Sequence, residues 1–304
     1  MSRKRGDVNN DGKVGTLDAT LVLGHVAGLP AYQLSGEDLR AAKIQGNDSD
    51  PSTGGVNYLL NNLVGNSGYD IESLFTYEFF RDGKTSVSYS GQKDRIEMAK
   101  EIHSAFSNSN LSKDDIYKLY IHSTDADFTG SYDSKKQIWN KLGTSLAEQS
   151  IIQSSDFQGY LDDFEASKQA WKDEVPASAG QAGLLGSRKV NAKGLEPNQM
   201  ATKSTIGALS AHNAMSYYLD TEVPSADNTI VTDENYTVME HKWDEAFGYC
   251  LYDHNILFAK YARKLNGEFS LKDKLEQAFY RGREAIVNKD YDTRDKQADI
   301  IKDL

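Results

Sequence analysis

The stretch DRIEMAKEIHSAF, residues 94–106, decides the fold class: Ile96, Ala99, Ile102 and Phe106 recur three or four residues apart, the spacing of one apolar helix face. Downstream the same period runs through Lys113–His122, Lys135–Leu146 and Asp156–Trp171. It resumes from Pro197 to about Leu219, where a proline suits the first helical turn, then from about Glu234 to Leu265, and again over Leu271–Asn288 and Tyr291–Leu304. The last segment ends while still in a helical pattern, so the natural C-terminus is expected to lie further on. Upstream, Thr76–Phe80 and Thr85–Tyr89 flank RDGK, an Asp-Gly turn between aromatic and β-branched runs, which predicts a hairpin. Between the helical halves lies Pro176–Gly194, which contains ASAGQAGLLGS and shows no sustained period. It is read as a long functional or mobile loop.

Composition limits the rest. The 304 residues suit two domains, and 38% hydrophobic content with no long apolar run gives nothing that spans a membrane. A formal charge of −11 disfavours nucleic acid, whose phosphates call for a basic surface. The N-terminal MSRKR is followed by Gly6 and a polar loop with no apolar region of the kind a signal peptide needs, so any export signal is expected to have been removed. Cys250 is the single cysteine, which excludes an internal disulfide framework.

DVNNDGKVGTLD, residues 7–18, has the spacing of a calcium loop. Hard cations take oxygen ligands from positions one, three, five, seven, nine and twelve of such a loop, with glycine at six. Asp7, Asn9, Asp11, the Lys13 carbonyl, Gly15 through water and Asp18 fall at those positions, and Gly12 at the turn. Without a cation, three carboxylates in one loop repel one another; the competing reading is a polar turn. Leu17, Leu21, Val22 and Val26 then share a helical face that stops at Gly28 and Pro30. A loop of this kind stays filled where calcium is millimolar, which favours an extracellular, cell-surface or periplasmic location.

This loop-then-helix unit resembles a type I dockerin, the module that binds cohesin domains. Residues 42–65, AKIQGNDSDPSTGGVNYLLNNLVG, resemble a degenerate second copy: the apolar face Val56, Leu59, Leu60, Leu63 survives, but Lys43, Gln45 and Gly54 stand at ligand positions. The resemblance implies a cohesin-like partner, with self-assembly as the alternative. The expected fold is all-α: an EF-hand-like calcium module over residues 1–66 and a larger helical bundle over 71–304, with one short β-hairpin at its start.

In the bundle, MEHKWDEAFGY (239–249) groups metal-capable side chains: His241 lies three residues before Asp244 and four before Glu245. An imidazole with one or two carboxylates suits zinc or iron, or acid/base work. The bland alternative is a helix surface stabilised by ordinary charged pairs. Cys250 and His254, four apart on an apolar helix, read as core, and the glycines of GQAGLLG follow no convincing strand and make no phosphate loop. Nothing points to a catalytic triad.

Three segments, FTYEFFRDGKTSVSYSGQKDRIEMAKEI (75–102), KVNAKGLEPNQMATKSTIGAL (189–209) and MEHKWDEAFGY, resemble the landmarks of the bacterial domain of unknown function 4856 family, more distantly similar to the imelysin-like helical proteins linked to iron uptake. The resemblance implies a metal on His241 with Asp244 or Glu245, although Met239 and Asp244 depart from the glycine and glutamate of the imelysin-like signature. Glu196 in the second landmark is the candidate for a further ligand or a partner of one, with helix capping as its alternative. The expected function is an exported calcium-binding docking protein whose helical domain binds iron or zinc, a binding role in preference to an enzymatic one. The alternative is a structural assembly subunit, and a peptidase is the weakest reading.

Overall fold

The computed structural model describes residues 77–142, 154–253 and 257–304, together with Val8, Leu21 and Val22. The chain divides into two compact units, Met1–Tyr77 and Glu78–Leu304. In the first, Val8 and Val22 are buried and Leu21–Val22 are helical. The proposed calcium ligands Asp7, Asn9, Asp11, Lys13, Gly15 and Asp18, the repeat at 42–65 and His254 lie outside the described residues.

The second unit is helical with two small antiparallel hairpins. β1 (Phe80–Arg81) pairs with β2 (Lys84–Thr85) through a turn in which Asp82 and Gly83 have φ of 51° and 73°. Two consecutive positive φ values are what an Asp-Gly hairpin turn requires. The strands are shorter than the flanking aromatic runs predict, because Arg81 turns inward to Glu240 and the Phe79 ring stacks on Tyr280 with centroids 5.0 Å apart.

α1 (Ser90–Ser107) buries Ile96, Ala99, Ile102 and Phe106, the face read from the sequence, together with Met98 and Ala105. α2 (Lys113–Ile121) begins in a capping box: the Ser112 hydroxyl accepts from the Asp115 amide, and the Asp115 carboxylate accepts from the Ser112 amide. The helix expected over Lys135–Leu146 begins only at Trp139 (α3, Trp139–Leu142). Before it, Asp125 and Asp133 accept from the Ser134 and Lys135 amides, which gives this backbone a local alternative to helix. α4 (Ser154–Lys172) buries Phe157, Leu161, Phe164 and Trp171.

The expected loop 176–194 contains a second hairpin instead. β3 (Gly183–Leu185) pairs with β4 (Arg188–Val190), closed by Gly186-Ser187 with Gly186 at φ 62°. A Gly-Ser pair between two apolar-containing runs is a two-residue hairpin signal, so the information was present. Its period was masked because each strand has only three residues. Trp171 Nε1 donates to the Val190 carbonyl at 2.8 Å and ties the hairpin to α4.

α5 (Pro197–Thr205) continues into a π-helix (Ile206–Glu222) and a short α6 (Val223–Ser225). Buried residues in the π-helix include 208, 213 and 218, and 209, 214 and 219, a recurrence of five that matches its wider turn. Asn213 Nδ2 donates to Ala208 O and Leu209 O, at 2.8 and 3.2 Å, and to Lys141 O at 3.0 Å. Thr221 Oγ1 donates to Ser216 O, again five residues back.

The single helix expected over Glu234–Leu265 is two. α7 (Val238–Leu251) starts at a second capping box, Thr237 with Glu240, because Asn235 at φ 68° turns the chain just before it. α8 (Leu257–Lys264) and α9 (Asn266–Phe269) follow, then α10 (Leu271–Val287) and α11 (Tyr291–Asp303). Helix α7 is the centre of the unit, packed against the π-helix, α10 and α1. Its Trp243, Ala246, Phe247, Tyr249 and Cys250 are buried. Against α10, Trp243 covers Gly282: a Cβ there would overlap the indole ring. Among the described residues no helix is long and apolar enough to cross a membrane.

Candidate functional site

Two faces of α7 carry its polar residues, and each is tied to a different part of the chain. Glu240 and Asp244, four residues apart, point to α10 and to the β1–β2 hairpin. Arg283 of α10, fully buried, donates from Nε to Asp244 Oδ1 and from Nη1 to Glu240 Oε1, both at 2.9 Å. Arg81 adds two bonds to Glu240, at 3.0 and 2.8 Å. The remaining oxygen positions are also engaged: Asp244 Oδ2 accepts from the Ser88 amide at 3.2 Å, and Glu240 Oε2 from the Thr237 amide at 2.7 Å. Arg283 reaches on to the Ser86 carbonyl at 3.1 Å. Two carboxylates thus face two guanidinium groups in a neutral, buried, hydrogen-bonded network. Burial pushes the Glu240 carboxyl up, but the Arg81 bonds and the Arg283 charge outweigh it and hold it below its ordinary value.

Asn235 completes the clamp. Its side-chain amide donates to the carbonyls of Arg81, Lys84 and Thr85 at 2.9, 3.1 and 3.2 Å, while its own carbonyl accepts from Arg81. The β1–β2 hairpin, the loop before α7 and α10 are therefore locked through charge and amide bonds around the start of α7.

The second face carries His241 and Glu245. His241 Nδ1 lies 2.9 Å from the Ser88 carbonyl. A carbonyl can only accept, so Nδ1 carries the proton and Nε2 keeps its lone pair. That Nε2 lies 3.8 Å from Glu245 Oε1, and the Tyr236 ring stacks on the imidazole with centroids 4.5 Å apart. Burial pushes the His241 imidazole below its ordinary value, against the opposing pull of Glu245. Glu245 Oε1 accepts from Gln92 Nε2 at 2.8 Å, and Gln92 also reaches the Tyr218 hydroxyl at 3.3 Å. Lys242 sits 3.2 Å from both Glu245 Oε2 and Glu222 Oε2. The side chains of His241 and Glu245 remain 27% and 14% exposed, so this face is reachable from solvent whereas the Glu240–Asp244 face is closed.

The structure therefore brings His241 and Glu245 together, sends Asp244 to Arg283, and places Glu196 on Arg188 at 2.5 Å. Glu196 is the N-cap residue of α5, but its side chain makes no capping bond. Among the described residues no group of three or more His, Cys, Asp or Glu side chains is arranged to hold a metal ion. Arg81, Ser88, Gln92, Tyr218 and Arg283 were not singled out from the sequence. Arg283 left a signal, since it stands on the same helical face as Phe279 and Ile286, where an apolar residue is the norm.

A family model described as Domain of unknown function (DUF4856) matches residues 75–304. No curated protein and no solved structure matches the chain.

Proposed function

Because the chain belongs to the DUF4856 family, whose description carries no activity, we propose a function from its own residues: an exported, calcium-dependent docking protein with the helical unit as its rigid scaffold. The supporting observation is the use of Glu240 and Asp244. The most buried acidic residues of α7 are neutralised by Arg81 and Arg283, in a lock joining elements far apart in sequence, and are not left for acid/base work. Calcium enters through Asp7, Asn9, Asp11, the Lys13 carbonyl, Gly15 through water and Asp18, whose spacing fits a hard cation with oxygen ligands. The module they form resembles a dockerin, and its partner is a cohesin-like domain or a second copy of this chain.

Titration calorimetry on the full chain is expected to give one calcium site, abolished in the double variant Asp7→Ala/Asp11→Ala. A ligand at a hundredfold its dissociation constant stabilises its site by about 2.7 kcal/mol, so the N-terminal unit should melt measurably later with calcium than with chelator. Equal melting and no calcium heat would end the calcium reading. Sedimentation in the same two conditions addresses self-association, and a monomer in both would leave only a separate partner.

A second reading is favoured by one feature of the half-buried His241–Glu245 face. Metal-bound histidines usually donate their other ring N–H to a carbonyl or carboxylate, as His241 does to Ser88, which leaves Nε2 free beside Glu245. Iron or zinc would bind there with water completing its shell. Elemental analysis after a weak-chelator wash should then find iron or zinc that disappears in His241→Ala. A calcium-only result, identical in that variant, would remove the role.

A further inference from the structure

Away from α7, an open cleft of about 490 Å³ lies between the end of α1, the end of α4, the β3–β4 hairpin and the first turn of α5. Its size is that of a small-molecule site. Phe106 and Trp171 form part of its wall, and both are buried and held by the core, so the wall is rigid. The polar lining is rich in donors. Arg188 is 66% exposed and only its Nη1 is engaged, by Glu196, so Nε and Nη2 are unspent among the described residues. Beside it, Lys189 Nζ donates to the Ser107 carbonyl and the Ser109 hydroxyl, at 2.8 and 2.7 Å, and has no carboxylate partner among the described residues. The Gln199 amide and the Ser187 hydroxyl, also in the lining, make no hydrogen bond among the described residues.

Each cation is also held in place. Glu196 orients the Arg188 guanidinium, and the carbonyl at the end of α1 orients the Lys189 ammonium. Both residues stand on β4, in register opposite Leu185 and Leu184 and directly after Ser187 of the turn, and all three line the cleft. One carboxylate, Glu196, answers two positive charges in this lining. On a chain with a net charge of −11, a local excess of positive charge and unspent donors matches a negatively charged acceptor.

We propose that this cleft binds a small organic oxyanion, a carboxylate or phosphate carried on a compact body. Arg188 and Lys189 would hold the anionic group, with Gln199 and Ser187 as further donors and the Phe106–Trp171 wall beside the body. Nothing in this proposal depends on calcium or on His241.

The test is titration calorimetry of the full chain at low salt with benzoate, phenyl phosphate and inorganic phosphate as separate probes. Saturable binding by benzoate or phenyl phosphate is expected, and the tighter of the two identifies the group preferred. Charge-assisted bonds of this kind are worth about tenfold or more in affinity, so Arg188→Gln and Gln199→Ala should each weaken binding, the first by about tenfold. An unchanged melting temperature would show that both variants fold; Gln199→Ala, on an amide without partners among the described residues, serves alone if Arg188→Gln does not. Absence of saturable binding by all three probes at millimolar concentration would overturn the proposal. So would equal affinities in wild type and variants, which would mean an adventitious ion only.

Discussion

Arg283→Met is expected to cost about 3–5 kcal/mol of unfolding free energy, measured by denaturant titration at neutral pH, because it leaves two buried carboxylates short of their countercharge. Asp244 would lose the Arg283 guanidinium, and Glu240 would lose Arg283 while keeping Arg81. The loss should depend on pH in a definite sense. In the native protein the Glu240 carboxyl sits below its ordinary value, so its contribution is present above the ordinary carboxylate range and fades as pH falls through the lower folded value. In the variant, the Glu240 carboxyl would lose the lowering pull of the Arg283 charge and keep that of Arg81 against burial, and Asp244 would lose the guanidinium paired with it. Buried negative charge short of its countercharge would then destabilise the fold at neutral pH, and protonation on acidification would relieve this. The gap between variant and native protein should therefore be widest near neutrality and narrow as pH approaches the carboxylate range. A gap that stays constant from pH 7 to about pH 4 would show that Arg283 acts through packing alone.

The second large effect is expected where α7 meets α10. Trp243 is fully buried, its Nε1 donates to the Phe279 carbonyl at 2.8 Å, and its ring lies over Gly282. Trp243→Ala should cost about 3–5 kcal/mol through the lost ring and the cavity left behind. Gly282→Ala attacks the same contact from the other side. The added methyl has no room, and overpacking of this kind costs about 1–3 kcal/mol. The two are not independent: with leucine at position 243 the methyl at 282 has space, so the double variant Trp243→Leu/Gly282→Ala should be more stable than the sum of the single costs predicts. A coupling of about 0.5–3 kcal/mol is expected for residues in direct contact. Strict additivity would mean that the helices settle elsewhere and that the close approach is not what requires glycine.

These effects share one origin in the way the helical unit is held together. Arg283, Arg81 and Asn235 join the hairpin before α1 to α7 and α10, and Trp243 presses the latter two together. A scaffold locked by buried charge and close packing resists local opening. The half-buried His241–Glu245 pair lies outside that lock. Changes there should alter any metal bound on it with less effect on stability than changes at Arg283.

Helix existence could be read directly from local pattern. The face of Ile96, Ala99, Ile102 and Phe106 is buried as its spacing predicts, and RDGK forms its hairpin, because an Asp-Gly pair supplies the two positive φ values the turn needs. Boundaries were harder to read. The Thr237 capping box starts α7 later than its apolar period suggests, and three-residue strands are too short to reveal a period of two. The five-residue recurrence between Ile206 and Glu222 also overlaps an α-helical pattern closely enough to pass for one.

By itself, then, the sequence determined the helical class and the first hairpin, since each rests on neighbours within a turn or two of chain, and the family, whose landmarks recur in order along it. Only the tertiary structure decided what the charged residues of α7 do. Glu240 meets Arg81 across 159 positions and Arg283 across 43, and His241 meets the Ser88 carbonyl across 153. Spacing on one helix places His241, Asp244 and Glu245 near a common side, but the groups packed against that helix divide them. A buried carboxylate takes the guanidinium that can replace its lost water, and that partner is supplied by the fold.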